Sequence, residues 1–190
     1  MTRVDNTKRK ILDLTEALLQ DKGFNGFSYA HIAAELDVKN AAIHYHFPTK
    51  EALGCAVIQR YRDRFQLWIN NSRVKDLSTK EKLDWFFGIY SNMRADKGKV
   101  CLAGSLETDF NAIPESMRVQ TEALTRELLF WLETTLREGR EAGVFIFNGD
   151  PAGKAALVLS SLQGALQMAR ALGTARFYEV VKQNKQDLIA

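Results

Sequence analysis

Residues 28–50, SYAHIAAELDVKNAAIHYHFPTK, place apolar side chains at Ile32, Ala33, Leu36, Val38, Ile43 and Phe47. Intervals of three and four residues bring such positions onto one side of a helix, so the stretch predicts two short helices joined by a turn at Asp37-Val38-Lys39. Helices this short are marginal alone, and their apolar sides must close on each other and on a third element. Ser28 is a good N-cap for the first helix, and Ala33 in its middle lets the second approach closely. The left-handed position of such a turn usually takes glycine; here Asp37 is expected in it. Pro48 discourages continuation of the second helix, which spans about Asn40 to Phe47, and Thr49 can cap the next. What remains outside on the second helix is small, polar or aromatic: Asn40, Ala41, Ala42, His44, Tyr45 and His46. This is the layout of a helix-turn-helix that reads DNA.

The flanking sequence supplies the remaining supports. A first helix is predicted from about Asn6 to Lys22, with Ile11, Leu14 and Leu18 in one stripe and Gly23 as its left-handed stop. Phe24 and Phe27 should plug the small core beneath the helix pair. A long helix from Thr49 carries Leu53, Val57, Ile58, Tyr61, Phe65, Trp68 and Ile69 to about Arg73. Beyond it, Ser78-Thr79-Lys80-Glu81 is a capping box, and Asp96-Lys97-Gly98-Lys99 a polar loop. CLAGSLETDF (101–110) reads as a short helix, and Pro114 opens a long one over about 115–142. Asp150-Pro151 opens a further helix closed by Gly173, and a last one begins near Thr174. No strand pattern, repeat or low-complexity segment interrupts this series. The fold class is all-α: an N-terminal three-helix DNA-binding domain over 4–64, with the motif at about 28–47, then a larger helical bundle over 65–190.

Charge and composition narrow the possible roles. The net charge of +3 is modest; residues 1–64 hold 10 Lys/Arg against 8 Asp/Glu, and Arg3, Lys8, Arg9 and Lys10 form a basic arm able to lie along phosphates. No apolar run reaches the length of a membrane span and the N-terminus lacks the apolar stretch of a secretory signal, so a cytoplasmic protein is expected. Two cysteines fit neither a disulfide framework nor a zinc site. His44 and His46 point to opposite sides of a helix and cannot share a metal ion, so no metal or other cofactor is expected. No Ser/His/Asp set, paired carboxylates or phosphate-binding glycine loop suggests an enzyme.

The basic first helix ending in KGF, followed by IAAELDVKNAAIHYHFPTKEAL, resembles the TetR/AcrR family of transcriptional regulators. The likeness is specific over residues 1–60 and architectural beyond, with CLAG and LQGALQMARAL as loose echoes. It departs from the family pattern at Asp37, where glycine is usual, and at His44, where an aromatic is usual. The resemblance implies a dimeric one-component regulator, a repressor that binds a palindromic operator and is released by a small-molecule effector. It assigns ligand binding and dimerisation to the helical bundle over 65–190.

In such a head the second helix enters the major groove. Asn40 then suits adenine N6/N7, and Lys39 guanine O6/N7 or a phosphate; Ala41 and Ala42 allow close approach, and His44 is a further base reader. Tyr45 and His46 suit the rims, while Lys50, Ser28 and Tyr29 are expected on phosphates. A dimer is expected through small residues at i, i+4 spacing, Ser160 and Gly164 and then Ser161, Ala165 and Ala169, joined by Leu157 and by Leu124, Leu128 and Leu132. An apolar effector would be lined by Trp68, Trp85, Phe86, Tyr90, Met93, Phe110, Trp131 and Met168. Cys101, near Lys97 and Lys99, is a candidate redox or electrophile sensor, an alternative trigger for release. A helical adaptor without DNA binding is the remaining rival.

Overall fold

A computed structural model describes residues 3–94 and 98–188. Asp96 and Lys97 of the expected polar loop lie outside these, as do the side chains of Arg3 and Asp5 in the basic arm. The described residues form α-helices without a strand: α1 (Arg3–Lys22), α2 (Tyr29–Leu36), α3 (Asn40–His46), α4 (Lys50–Asn70), α5 (Ser72–Lys75), α6 (Thr79–Arg94), α7 (Leu102–Thr108), α8 (Glu115–Glu141), α9 (Pro151–Leu172) and α10 (Ala175–Gln186). Single 3-10 turns occupy Phe24–Gly26 and Phe110–Ala112.

The predicted stops act as expected. Gly23, with φ of 72°, ends α1, and Asp37 takes the left-handed region at φ 51° and ψ 51° after α2. Thr49 accepts the Ala52 amide at 3.0 Å, and Ser78 and Glu81 close a capping box before α6. Asp150 accepts the Gly153 amide at 2.8 Å at the start of α9, with Pro151 in the first turn. The expected long helix after Thr49 holds its whole apolar stripe through Ile69 and ends at Asn70, just before the expected end near Arg73. Asn71 accepts the Arg73 amide and starts the four-residue α5, a local side-chain bond that competes with the helical ladder.

The chain gathers into two compact units, Met1–Gln66 with Leu102–Leu124, and Leu67–Cys101 with Thr125–Ala190. Residues 102–124, which the sequence reading assigned to the C-terminal bundle, thus pack with the helix-turn-helix. In the first unit Ile11, Leu19, Phe24, Phe27, Ile32, Ile43, Phe47, Leu53 and Val57 are buried. Arg60 of α4 pairs with Asp13 and Glu16 of α1 at 2.6 and 2.7 Å, and Arg64 pairs with Glu16 at 2.5 Å. These half-exposed pairs set the rotation of α4 more than they add stability.

In the second unit α10 packs along α9 and α6 touches α9. VFIF at 144–147 is irregular and not a strand. Phe145 is buried there because its ring occupies the space a side chain at Gly139 would need, and the Ile146 amide donates to Leu188 O at 2.9 Å.

Candidate nucleic-acid interface

Helix α3 has one buried anchor, Ile43, and is followed by a second, Phe47. With Ile43 turned inward, the 100° step of the helix leaves Asn40, Ala41, His44 and Tyr45 in solvent, with Lys39 just before them. Tyr45 is 77% exposed, unusual for a large ring in a packed protein. Ala42 and His46 are half-buried at the margins of this face, and the His46 ring stands edge-on to Tyr45 at 5.2 Å. His44 Nδ1 lies 3.3 Å from Pro48 O. The structure therefore brings Lys39, Asn40, Ala41, His44 and Tyr45 together on one accessible surface.

Tyr29 is placed elsewhere. Its ring is buried, its edge meets His44 at 4.7 Å, and its hydroxyl donates to Phe47 O at 2.9 Å. Burial pushes its pKa up to about 12. Expected on a phosphate, Tyr29 instead ties the start of α2 to the end of α3, because α2 turns this position toward the core.

Lys50 is likewise committed. Its Nζ donates to Phe24 O at 2.5 Å and Phe27 O at 2.6 Å, with the two rings 4.5 and 4.4 Å away. Desolvation pulls its pKa below the ordinary lysine value. The phosphate role expected of Lys50 is corrected to a staple: the ammonium satisfies two loop carbonyls and lies against two aromatic faces.

Ser28 is exposed at the N-cap of α2, and its amide donates to His31 Nδ1 at 3.2 Å, so histidine fills the place Glu or Gln takes in a capping box. This role of His31 was missed, although the i, i+3 spacing from a serine cap was a visible signal. Lys8 of the basic arm lies 5.9 Å from the Phe47 ring, beside the end of α3.

The other candidates separate in the same way. Trp68 and Trp131 meet at 5.0 Å, Trp131 and Phe86 stack at 5.2 Å, and Phe86 and Tyr90 meet at 5.3 Å. Half-buried Met93 lies on α6, as do Phe86 and Tyr90. Trp85, 57% exposed, is not in this cluster; with Trp68, Asp84, Gly88, Ile89 and Asn92 it lines an open groove of about 440 Å³. Phe110 falls in the first unit, and Met168 faces solvent on α9. Cys101 is buried, its Sγ 3.7 Å from the Tyr90 hydroxyl, and it offers no open thiol; Lys97, invoked to activate it, lies outside the described residues.

The expected dimer face needs a larger correction. Leu124, Leu128 and Leu132 are buried within their own chain, because the i, i+4 row they form is the inward row of α8. Ala165 is buried as well, and Ser161 Oγ accepts from Asn184 Nδ2 at 2.9 Å. Leu157 stays outside at 65% exposure, and among the described residues nothing beyond its own helix lies within 4 Å of where a Cβ of Gly164 would be. Met168 and Leu172 continue that outer row of α9, and Phe130, 69% exposed, is the large apolar side chain left outside on the later turns of α8. No helix among the described residues is long and apolar enough to cross a membrane.

Comparison with known proteins agrees with this architecture. Residues 11–57 match the family described as bacterial regulatory proteins, tetR family. A TetR transcriptional regulator from Legionella pneumophila is 34% identical, with 98% of this chain and all of that one covered at a TM-score of 0.83. A TetR-family regulator from Agrobacterium tumefaciens superposes at a TM-score of 0.91 with 28% identity, covering 99% of this chain and 100% of the other. The transcriptional repressor DhaR of Mycobacterium sp. (strain GP1) is 24% identical over 77% of this chain and 73% of its own length. A two-unit helical fold headed by a helix-turn-helix with an accessible second helix, and these likenesses, define the class: the chain belongs to the TetR family of transcriptional regulators.

Proposed function

We propose that this regulator is a homodimeric repressor whose residues 4–64 bind one half-site of a palindromic DNA operator through α3. One observation carries the reading: Asn40, Ala41, His44 and Tyr45 lie in solvent on a helix whose opposite side is locked by Ile43, Phe47 and the Tyr29 hydroxyl. A rigid, polar, accessible helix fits the major groove. Asn40 pairs with adenine N6/N7, Lys39 with guanine or a phosphate, and Ala41, Ala42 and His44 complete base recognition. Tyr45, His46, Ser28 and Lys8 hold the register on phosphates and sugars.

A single head reads few base pairs, so useful affinity needs two. The outer row of α9, Leu157, Gly164, Met168 and Leu172, together with Phe130, is the apolar surface we assign to the second copy. The repressor reading is supported by DhaR, which is a transcriptional repressor. The ring cluster of Trp68, Phe86, Tyr90 and Trp131 is the apolar material from which an effector site is made. Release follows only if an effector binds the DNA-free state more tightly than the DNA-bound one.

The test is retardation of DNA from beside the chain's own gene across a salt series. Binding should weaken steeply as salt rises, because phosphate neutralisation releases counterions. Asn40→Ala should cost ~1–3 kcal/mol at one base pair per half-site and relax discrimination there. Absence of any retarded fragment at low salt sinks the DNA-binding reading; equal loss on every base variant sinks the role given to Asn40.

A further inference from the structure

Three attachments tie the helix-turn-helix to residues 102–124, all within the first unit. The Phe24 amide donates to Asp109 Oδ2 at 2.7 Å across 85 residues of sequence. The Ser105 hydroxyl, buried, donates to Leu19 O at 2.6 Å. That carbonyl also receives the Gly23 amide at 3.1 Å, so Ser105 takes its second lone pair at the end of α1. Gly23 is needed twice over: its φ is 72°, and a Cβ there would sit 2.5 Å from Asp109 Oδ2. The Ser116 hydroxyl donates to Glu51 on α4, and Met117 Sδ stands 2.5 Å from where a Cβ of Gly54 would be.

The three reach three different elements, the end of α1, the turn after it and the start of α4, so the head is held at more than one point of its chain. None of them lies on the outer face of α3, so they do not choose bases. They do set the angle at which the face is presented. We propose that Asp109 is a positioning residue for operator binding: with Ser105 and Ser116 it fixes the α2–α3 pair on residues 102–124, and so fixes the half-site separation that a dimer accepts. The inference rests on the dimeric DNA-binding reading above and deepens it. Asp109 supplies the longest lever, because it holds the connection between α1 and α2 and not a helix side.

The probe is a palindromic duplex selected from a random-sequence library by the wild-type chain. It is then remade with a base pair added or removed at its centre, alongside a duplex holding a single half-site. Wild type should lose about tenfold or more in affinity when the spacing changes, since two heads must meet successive grooves together. Asp109→Ala should keep single half-site affinity within about twofold and shrink the spacing penalty by roughly fivefold, the worth of one net hydrogen bond. Asp109→Asn, which keeps an oxygen for the Phe24 amide, should restore the penalty. If Asp109→Ala melts too low to assay, Ser105→Ala is read on the same duplexes by the same criteria. An unchanged spacing profile, or equal loss on half-site and palindrome, overturns the inference while leaving DNA binding intact. A wild type that enriches no duplex overturns the DNA-binding reading and the inference with it.

Discussion

In the head, polar side chains reach across the sequence to backbone carbonyls: Tyr29 to Phe47, and Lys50 to Phe24 and Phe27. In the second unit Trp68, Trp131, Phe86 and Tyr90 meet ring against ring at 5.0–5.3 Å. Hydrogen bonds weaken steeply with angle, whereas aromatic pairs keep most of their attraction over a broad range of offsets and tilts. The head is therefore built to hold one geometry, as a surface read against a fixed groove must be. The aromatic unit is built to stay packed while its members shift, as the proposed effector site would require.

The contrast can be broken most directly at Phe86. Truncation by Phe86→Ala should cost ~3–5 kcal/mol in urea unfolding, whereas Phe86→Leu should cost under ~1.5 kcal/mol because neighbouring rings can close on it. Equal costs for the two would mean that the second unit also demands one geometry. Lys50→Met keeps the aliphatic stem but orphans two carbonyls, and should cost about 2 kcal/mol, the worth of a bond to a charged donor. Loss of operator affinity from Lys50→Met at full stability, with a reduced salt slope, would return Lys50 to the phosphates.

Tyr29→Phe removes a single bond and should cost about 1 kcal/mol near neutral pH. Its pH signature is sharper than its size. The folded hydroxyl titrates at about 12 against 10.0 in the unfolded chain. The stabilisation is thus full below pH 10 and lost as pH rises through about 12. The wild type should weaken over that window relative to Tyr29→Phe; parallel curves would mean that the hydroxyl is not buried. Smallest of all, Asp37→Gly should change stability by only about 0.5 kcal/mol, since relief of the left-handed strain is offset by a looser unfolded chain. A large change in calorimetric Tm would show that the Asp37 side chain does something beyond tolerating its φ.

Much of this was legible along the chain. Ser28, Asp37, Thr49, Ser78, Asp150 and Pro151 mark helix ends by bonds to residues two to four positions away or by their own φ, and each stands at the end it marks. The exposed face of α3 was legible for the same local reason: once Ile43 and Phe47 are inside, the helical step decides what is outside. Tyr29 and Lys50 were misread because a long polar side chain at a helix start can serve the solvent or snorkel inward, and spacing is the same in both cases. Leu124, Leu128 and Leu132 were misread because an apolar stripe shows which side is covered, not whether its own chain or a second copy covers it. Asp109 carried no signal at all: its partner is 85 residues away, and the sequence shows it only as a polar residue near the end of the short helix expected over 101–110.

The sequence by itself determined the all-helical class, the helix-turn-helix and the residues that α3 shows to solvent, since these follow from periodicity and caps acting within a few residues. Only the tertiary structure decided that residues 102–124 belong with the head, that Lys50 and Tyr29 are staples, and that Phe130 and the outer row of α9 are the apolar surface left over. Those choices depend on which buried carbonyls remain to be satisfied and which apolar rows remain uncovered once the chain has closed on itself, and neither exists until distant segments meet.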